Sequence, residues 1–433
     1  MRNFYHLLIN SVISSITNFT VWFAITFFSY LQTQSVLVTG LISGFYLVAT
    51  AISGFWFGSL VDNHHKKNIM LLSSLVSLIS FSVGLVIYLT AAPGSFTNQS
   101  SPTLWFLIMT LMVGIVVSGI RNIALPTIVT IIAPEPERDK ANGLVGTASG
   151  ISFLVTSVIS GLLVGSSGMY WVLILSIIFS LLTIFDLWFI PIPENNIVHT
   201  AEHGQKGVDI KGTIKIISST PGFTALILFT TFNNFLGGVF MALMDAYGLS
   251  LVSVQVWGLL WGFLSTGFII GGLIIAKFGL GKSPIKTLFT ANIIIWAISA
   301  IFTIYPSIIL LTIGLFIYIT VVPYIEASEQ TIIQKVVPVE RQGRVFGFAH
   351  SVEQSASPLT SFLIGPLTQF VFIPFMTTGA GVDLIGGWFG TGPGRGIALV
   401  FTVAGTIGLI VTIFASRSRS THLLSVAYEN HGK

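Results

Sequence analysis

Two stretches decide the fold: Pro126–Gly146, PTIVTIIAPEPERDKANGLVG, and Gln330–His350, QTIIQKVVPVERQGRVFGFAH, which align without a gap at an offset of 204 residues. Thr127 matches Thr331, Ile128 matches Ile332, Pro134 matches Pro338, Lys140 matches Arg344 and Gly143 matches Gly347. Each stretch closes an apolar run, turns through a charged loop bearing a proline, and opens the next apolar run. The same turn, taken twice in the same direction, predicts a chain built from two like halves.

Working outward from these turns, the apolar runs are long enough to cross a bilayer, whose core of about 30 Å needs roughly 20 residues of helix. Twelve spans are predicted, near 5–30, 36–61, 68–91, 103–131, 141–165, 170–192, 222–246, 253–276, 285–305, 307–334, 345–376 and 396–415. The first lacks the short apolar core and small-residue cleavage site of a signal peptide, so it reads as a retained helix. Span 11 carries Pro358, Pro366 and Pro374 and is expected to kink or break. The fold class expected is an all-α membrane protein of 12 transmembrane helices in two six-helix bundles related by a pseudo-twofold axis. The boundaries expected are 1–192 and 222–415 for the bundles, 193–221 for the linker and 416–433 for the tail.

Composition agrees. Of 433 residues 53% are hydrophobic and 8% charged, with mean hydropathy +0.89, against about 25% charged in soluble domains. Such a chain cannot cover itself in water. Without cysteine it forms no disulfide, thiolate metal site or cysteine nucleophile. Its net charge of +4 is no nucleic-acid signal, because topology explains it. With the N-terminus inside, all nineteen Lys and Arg except Arg121 and Arg395 fall on the inner side, as the positive-inside rule requires. Both termini are therefore expected in the cytoplasm, in a multi-pass protein of the plasma membrane.

Parallel six-helix halves point to a transporter that holds its substrate near the midplane. The loop after span 2, Gly58-Ser-Leu-Val-Asp-Asn-His-His-Lys-Lys67, resembles the major facilitator superfamily signature G-x-L-x-D-R-x-G-R-R, matching at Gly58, Leu60, Asp62, Lys66 and Lys67. It departs at Asn63 and His65. The resemblance implies that Asp62 and the basic residues tie this loop to span 11 and steady an outward-facing state, with Asn63 leaving the network one charge short. In the equivalent loop from Gly272, Ala276 replaces the acid. The run QTIIQKVVPVERQGRVFG is similar to the drug-efflux branch that includes macrolide exporters and the enterobactin exporter.

Charges within spans cost about 2.5–3.5 kcal/mol each on insertion scales and so need a reason. Arg121 lies near mid-span 4; Glu326 and Glu329 lie one turn apart on span 10. Under the repeat, Glu326 corresponds to Asn122. Either Arg121 and Glu326 face the central path and pair when the inner side closes, with protonation of the glutamate loosening them, or each braces its own half. Glu329 can alternatively snorkel to the interface. Glu353, with His350 and Gln354 near it on span 11, and Asp245 toward the outer end of span 7 complete the proton-coupling or gating candidates. The resemblance implies that spans 1, 4, 7 and 10 line the cavity, which favours Asp245 and makes Asp186 on span 6 structural. Asn18 and Trp22 on span 1, Asn122 on span 4, and Asn233 and Asn234 on span 7 are substrate-cavity candidates, although asparagines also join helices in ordinary packing. In the Gly-rich outer loop, Trp388 and Phe389 are expected at the headgroup level.

Competing classes fare worse. There is no HExxH motif and no arguable Ser-His-Asp set. Ala276–Ser283 nearly spells a P-loop but lacks its first glycine and a preceding strand. No repeated channel filter is visible. The expectation is a monomeric secondary exporter, with a small amphipathic molecule as substrate, no cofactor or metal, and the proton gradient as energy source. A lipid or glycolipid flippase of the same fold, or an importer of a small solute, is the alternative.

Overall fold

The computed structural model describes residues 2–33, 36–192 and 209–430. In chain order its helices begin with α1 Arg2–Thr33, α2 Val36–Asn63, α3 Lys66–Thr90, α4 Pro102–Ser118, α5 Arg121–Ile132, α6 Arg138–Ser167 and α7 Tyr170–Phe189. Beyond the linker come α8 Ile210–Ser219, α9 Phe223–Leu251, α10 Val254–Phe278, α11 Pro284–Ile301, α12 Ile308–Val336 and α13 Val339–Leu367. Short helices α14 Ile373–Thr377, α15 Ala380–Leu384 and α16 Gly386–Phe389 lead to α17 Pro393–Ser416 and α18 Arg419–Asn430. Among the described residues, eleven helical segments are long and apolar enough to cross a membrane; α6, 30 residues long, occupies the remaining predicted span. The linker positions 193–208 lie outside the described residues, as do Lys206 and Lys433.

Five helices start on serine caps: Ser101, Ser253, Ser283, Ser307 and Ser418 each accept from the backbone N–H three residues on, at 3.2–3.4 Å. Two spans depart from the prediction. Span 4 is not one helix: i→i−3 hydrogen bonds at Gly119 and Ile120 break it into α4 and α5, which sets Arg121 at a helix start. Span 11 runs unbroken through Pro358 and Pro366 and loosens only afterwards, in a π-helical turn at Thr368–Phe372.

The residues cluster into two compact units. Unit 1 comprises 1–141, 148–213 and 337–351, and unit 2 comprises 142–147, 214–336 and 352–433. In unit 1, Phe28, Phe81, Leu107, Leu111 and Leu173 are among the buried side chains at the centre. A serine stripe on α3 lets α4 approach: Ser77 donates to the Gly114 carbonyl at 2.9 Å, and a Cβ on Gly84 would lie 2.4 Å from Leu111. Unit 2 is built around Phe240, whose ring lies 5.2–6.0 Å from those of Trp296, Phe302, Tyr318 and Phe401. Arg395 is buried there too. It donates to the carbonyls of Phe389 and Ile304 and to the Tyr247 hydroxyl, and sits 4.1 Å over the Phe389 ring. Phe389 is therefore a core residue, 1% exposed, not a headgroup anchor; only Trp388 stays outside, at 55%.

Unit 2 takes in 142–147 and unit 1 takes in 337–351, the beginnings of the two repeated turns' second helices. Glycine explains both exchanges. In unit 1, Gly54 and Gly58 of α2 meet Gly343 and Gly347 of α13 so closely that a Cβ on Gly347 would lie 2.3 Å from the Gly54 carbonyl oxygen. In unit 2, a Cβ on Gly272 of α10 would lie 2.6 Å from the Gly143 carbonyl oxygen of α6. Backbones cross at these distances only where no side chain stands between them.

Candidate functional site

Three helices of unit 2 bring carboxyl groups together. Glu353 of α13 accepts from the Thr230 hydroxyl of α9 at 2.7 Å, and its carboxyl stands beside that of Glu329 on α12. Two carboxylates side by side repel, and one proton shared between them relieves the repulsion. Glu326, one turn before Glu329, lies within electrostatic reach of both. Its side chain is exposed, but not toward the side where Ile309, Ile313 and Ile317 are bare. At 3.6 residues per turn it points roughly 140° from the middle of that apolar stripe. Spacing on α12 alone pairs Glu326 with Glu329; Glu353 joins them through a tertiary contact that no local pattern announces. Among the described residues no group of three His, Cys, Asp or Glu fits a metal ion.

Arg121 lies in the core of unit 1, 6% exposed. It donates to Asn10 Oδ1 at 2.9 Å and to Ser74 Oγ at 2.6 Å, and its Nε has no partner. Asn10 in turn donates to Asp186 Oδ2 at 2.8 Å and to the Thr183 carbonyl at 2.9 Å. The partners of Arg121 thus come from its own unit, and the Arg121–Asn10–Asp186 chain ties α5 to α1, α3 and α7. Replacing it by Met leaves two buried acceptors empty and should destabilise the fold by about 1–3 kcal/mol. The check is the melting temperature in detergent: it should fall for Arg121→Met and recover only partly in Arg121→Lys, whose single ammonium cannot span both partners.

The loop after α2 is tied to α13. Asp62 accepts from the backbone N–H of Gly343 at 2.7 Å and of Arg344 at 2.9 Å, with the Arg344 guanidinium 3.9 Å away. Asn63, where the signature has a base, accepts from Arg344 at 3.2 Å, so it joins the network as an acceptor. Lys66 is buried within electrostatic reach of Asp62. Lys67 instead caps α7, donating to the carbonyls of Trp188 and Ile190, both at 2.8 Å. Gly58 supplies the close approach already described. One member went unread in the sequence. Asp209 caps α8 through the Gly212 N–H at 2.8 Å and pairs with Arg341 at 3.3 Å and Arg344 at 3.9 Å. That N–H and the two guanidiniums hold its carboxyl below the ordinary value. An Asp just before an amphipathic run is the N-cap signal that could have found it.

The cavity candidates divide. Asn18 is buried and spends its amide on the Ser14 carbonyl at 2.7 Å; Trp22 packs on Tyr46, centroids 4.3 Å apart. Asn233 accepts from the core indole of Trp296 at 2.8 Å, and Asn234 donates to the Thr230 carbonyl at 3.1 Å. Each of these contacts lies within one unit, and the Asn18 Oδ1 and Asn233 Nδ2 atoms have no partner among the described residues. Asn122 and Asp245 are exposed. Asp245 Oδ1 accepts from the indoles of Trp257 and Trp261 at 2.9 and 3.2 Å.

Long apolar helices in two units, with ionisable groups held inside them, are the architecture of a multi-pass membrane protein, and its family makes it a transporter and not an enzyme. The chain belongs to the Major Facilitator Superfamily, whose sequence pattern matches residues 7–361. It is similar to macrolide efflux protein A of Streptococcus pyogenes, 23% identical over 378 residues, covering 82% of this chain and 87% of that one. The protein of the same description from Enterococcus faecalis is 23% identical over 331 residues, covering 71% and 94%. A bacterial homologue of the iron transporter ferroportin, in an outward-facing state, shares the fold at TM-score 0.70 and 14% identity, covering 96% of this chain and 100% of that one. The proton:xylose symporter bound to a deoxyglucose derivative does so at TM-score 0.66 and 13% identity, over 98% and 99%.

Proposed function

We propose that this transporter is a proton-driven exporter of amphipathic compounds, working by alternating access in the plasma membrane with both termini in the cytoplasm. The observation that carries it is the carboxyl cluster: Glu326 is exposed beside the neighbouring carboxyls of Glu329 and Glu353, whose mutual repulsion a proton relieves. A membrane-embedded group of this kind suits a proton relay. The relatives named for macrolide efflux support export as the direction. Lys and Arg gathered at one set of helix ends support the orientation. The protein acts as a monomer without cofactor, and the proton gradient supplies the energy.

The test is proton flux in inverted vesicles holding a pH gradient, with macrolides, dyes and siderophores added in turn. Proton release on adding a compound is expected, and Glu326→Gln should reduce it at least tenfold. A wild type that moves fluorescent lipid between leaflets but releases no protons with any compound would sink export and establish a flippase. Unchanged release from Glu326→Gln would remove that residue from the coupling path.

A further inference from the structure

We propose that Asp245, Trp257 and Trp261 form a binding site for organic cations, a charged amine carried on an apolar body. The inference rests on the reading of the chain as an exporter of amphipathic compounds and names the charge its substrates carry.

Asp245 stands on α9 six residues before the helix ends at Leu251, about 9 Å inside that end. It is exposed, on the same face as Met241, which is 75% bare, and Leu249. A charged carboxylate in a membrane span needs a partner, water or a function. Among the described residues no Lys, Arg or His pairs with Asp245; its hydrogen bonds come from two neutral indoles, one turn apart on α10, and both reach the same oxygen. Neutral donors fix the carboxylate's position without cancelling its charge. Oδ2 stays open.

The two rings stand 5.9 Å apart at 75° to one another. Trp257 is buried and serves as the anchor, whereas Trp261 is only half-buried and keeps ring surface available. A cation at Oδ2 thus gains a full negative charge and an aromatic flank, since ammonium groups are attracted to indole within about 6 Å of the ring. The bare Met241 and Leu249 offer apolar surface to the rest of the molecule, and methionine adapts to irregular shapes. Because both donors already hold the carboxylate, binding costs little ordering.

The experiment is equilibrium binding of tetraphenylphosphonium and of its neutral relative triphenylphosphine oxide to the purified protein in nanodiscs, with no gradient present. Asp245→Asn keeps an acceptor for the indoles and removes only the charge, so the fold should survive, as the melting temperature will report. Its affinity for the cation should fall at least tenfold while the neutral compound changes less than twofold. Trp261→Phe, which loses one donor and keeps a ring, should weaken the cation about threefold. Equal cation affinity in wild type and Asp245→Asn, or no saturable cation binding to the wild type, overturns the site. The proton-flux assay reads the other proposal separately: charge-selective binding without proton release upholds the site and sinks export, and proton release without charge-selective binding does the reverse.

Discussion

Gly347→Leu should lower transport at least tenfold and leave the protein folded. A Cβ on Gly347 would lie 2.3 Å from the Gly54 carbonyl oxygen and 2.8 Å from Gly58 Cα. Both are backbone atoms, so no side chain can turn aside and the crossing of α2 with α13 must open. Overpacking of this kind costs about 1–3 kcal/mol. Individual spans keep their own hydrogen bonds in lipid, so the helices survive the loss of one contact. One turn away, Asp62 depends on the same crossing for its bonds to Gly343 and Arg344, and these should weaken with it. A readout independent of substrate exists because the chain has no cysteine. Phe55 and Phe348 face each other across the crossing with ring centroids 5.8 Å apart. Cysteines introduced at both positions should cross-link readily, and at least tenfold less in the presence of Gly347→Leu. Gly365, on the same α13 with open space around its Cβ position, is the control: Gly365→Leu should change neither measure. Wild-type cross-linking in Gly347→Leu would show that the glycine contact is dispensable.

The fold was legible because a membrane makes apolar length and basic loops into signals that need no tertiary knowledge. The predicted span 2, 36–61, and α2, Val36–Asn63, differ by two residues at one end. Span 4 was misread as continuous because Gly119 and Ile120 are both acceptable inside an apolar run, and only the backbone hydrogen bonds reveal the turn. The glycine crossings were printed twice in the sequence, as Gly54-x-x-x-Gly58 and Gly343-x-x-x-Gly347. They were passed over for the charged signature beside them. Phe389 was misplaced because an aromatic in a glycine-rich loop looks like an interfacial anchor until Arg395, six residues on, is seen to cover it.

The site was legible only in its ingredients. That Glu326, Glu329, Glu353, Arg121 and Asp245 are costly in a span follows from composition and position. Which of them meet follows from packing across three helices, and spacing along one helix cannot supply that. Arg121 shows the limit: alone it invites a functional reading, and Asn10 joins it to Asp186 in a brace. Asp245 had a charge and a depth but no visible partner, because its two indoles come from α10, twelve and sixteen residues further along.

Glu353→Gln should separate proton coupling from binding. In the wild type, Glu353 accepts from Thr230 and stands beside Glu329, where a shared proton relieves the repulsion of two carboxylates. A glutamine keeps both contacts without any proton: its carbonyl accepts from Thr230, and its amide donates to a charged Glu329. The fold should therefore be untouched, while the pair keeps a single titratable carboxyl, Glu329, held charged by the amide donor, so its proton exchange in the cycle is impaired. Proton-driven transport in inverted vesicles should fall at least tenfold, while substrate affinity at one pH stays within about twofold. If substrate and proton occupy the pair alternately, wild-type affinity weakens as the pH is lowered, because protons then hold the pair closed; in Glu353→Gln that dependence should flatten. Infrared spectroscopy supplies the chemical check, since a protonated carboxyl has a C=O band that a carboxylate lacks. The band should be present in the wild type and diminished in the variant. Thr230→Val removes one hydroxyl donor to Glu353 and no titratable group, so it should cost transport only about threefold. Full proton-driven transport by Glu353→Gln would confine the pair to a packing role and leave Glu326 as the coupling group.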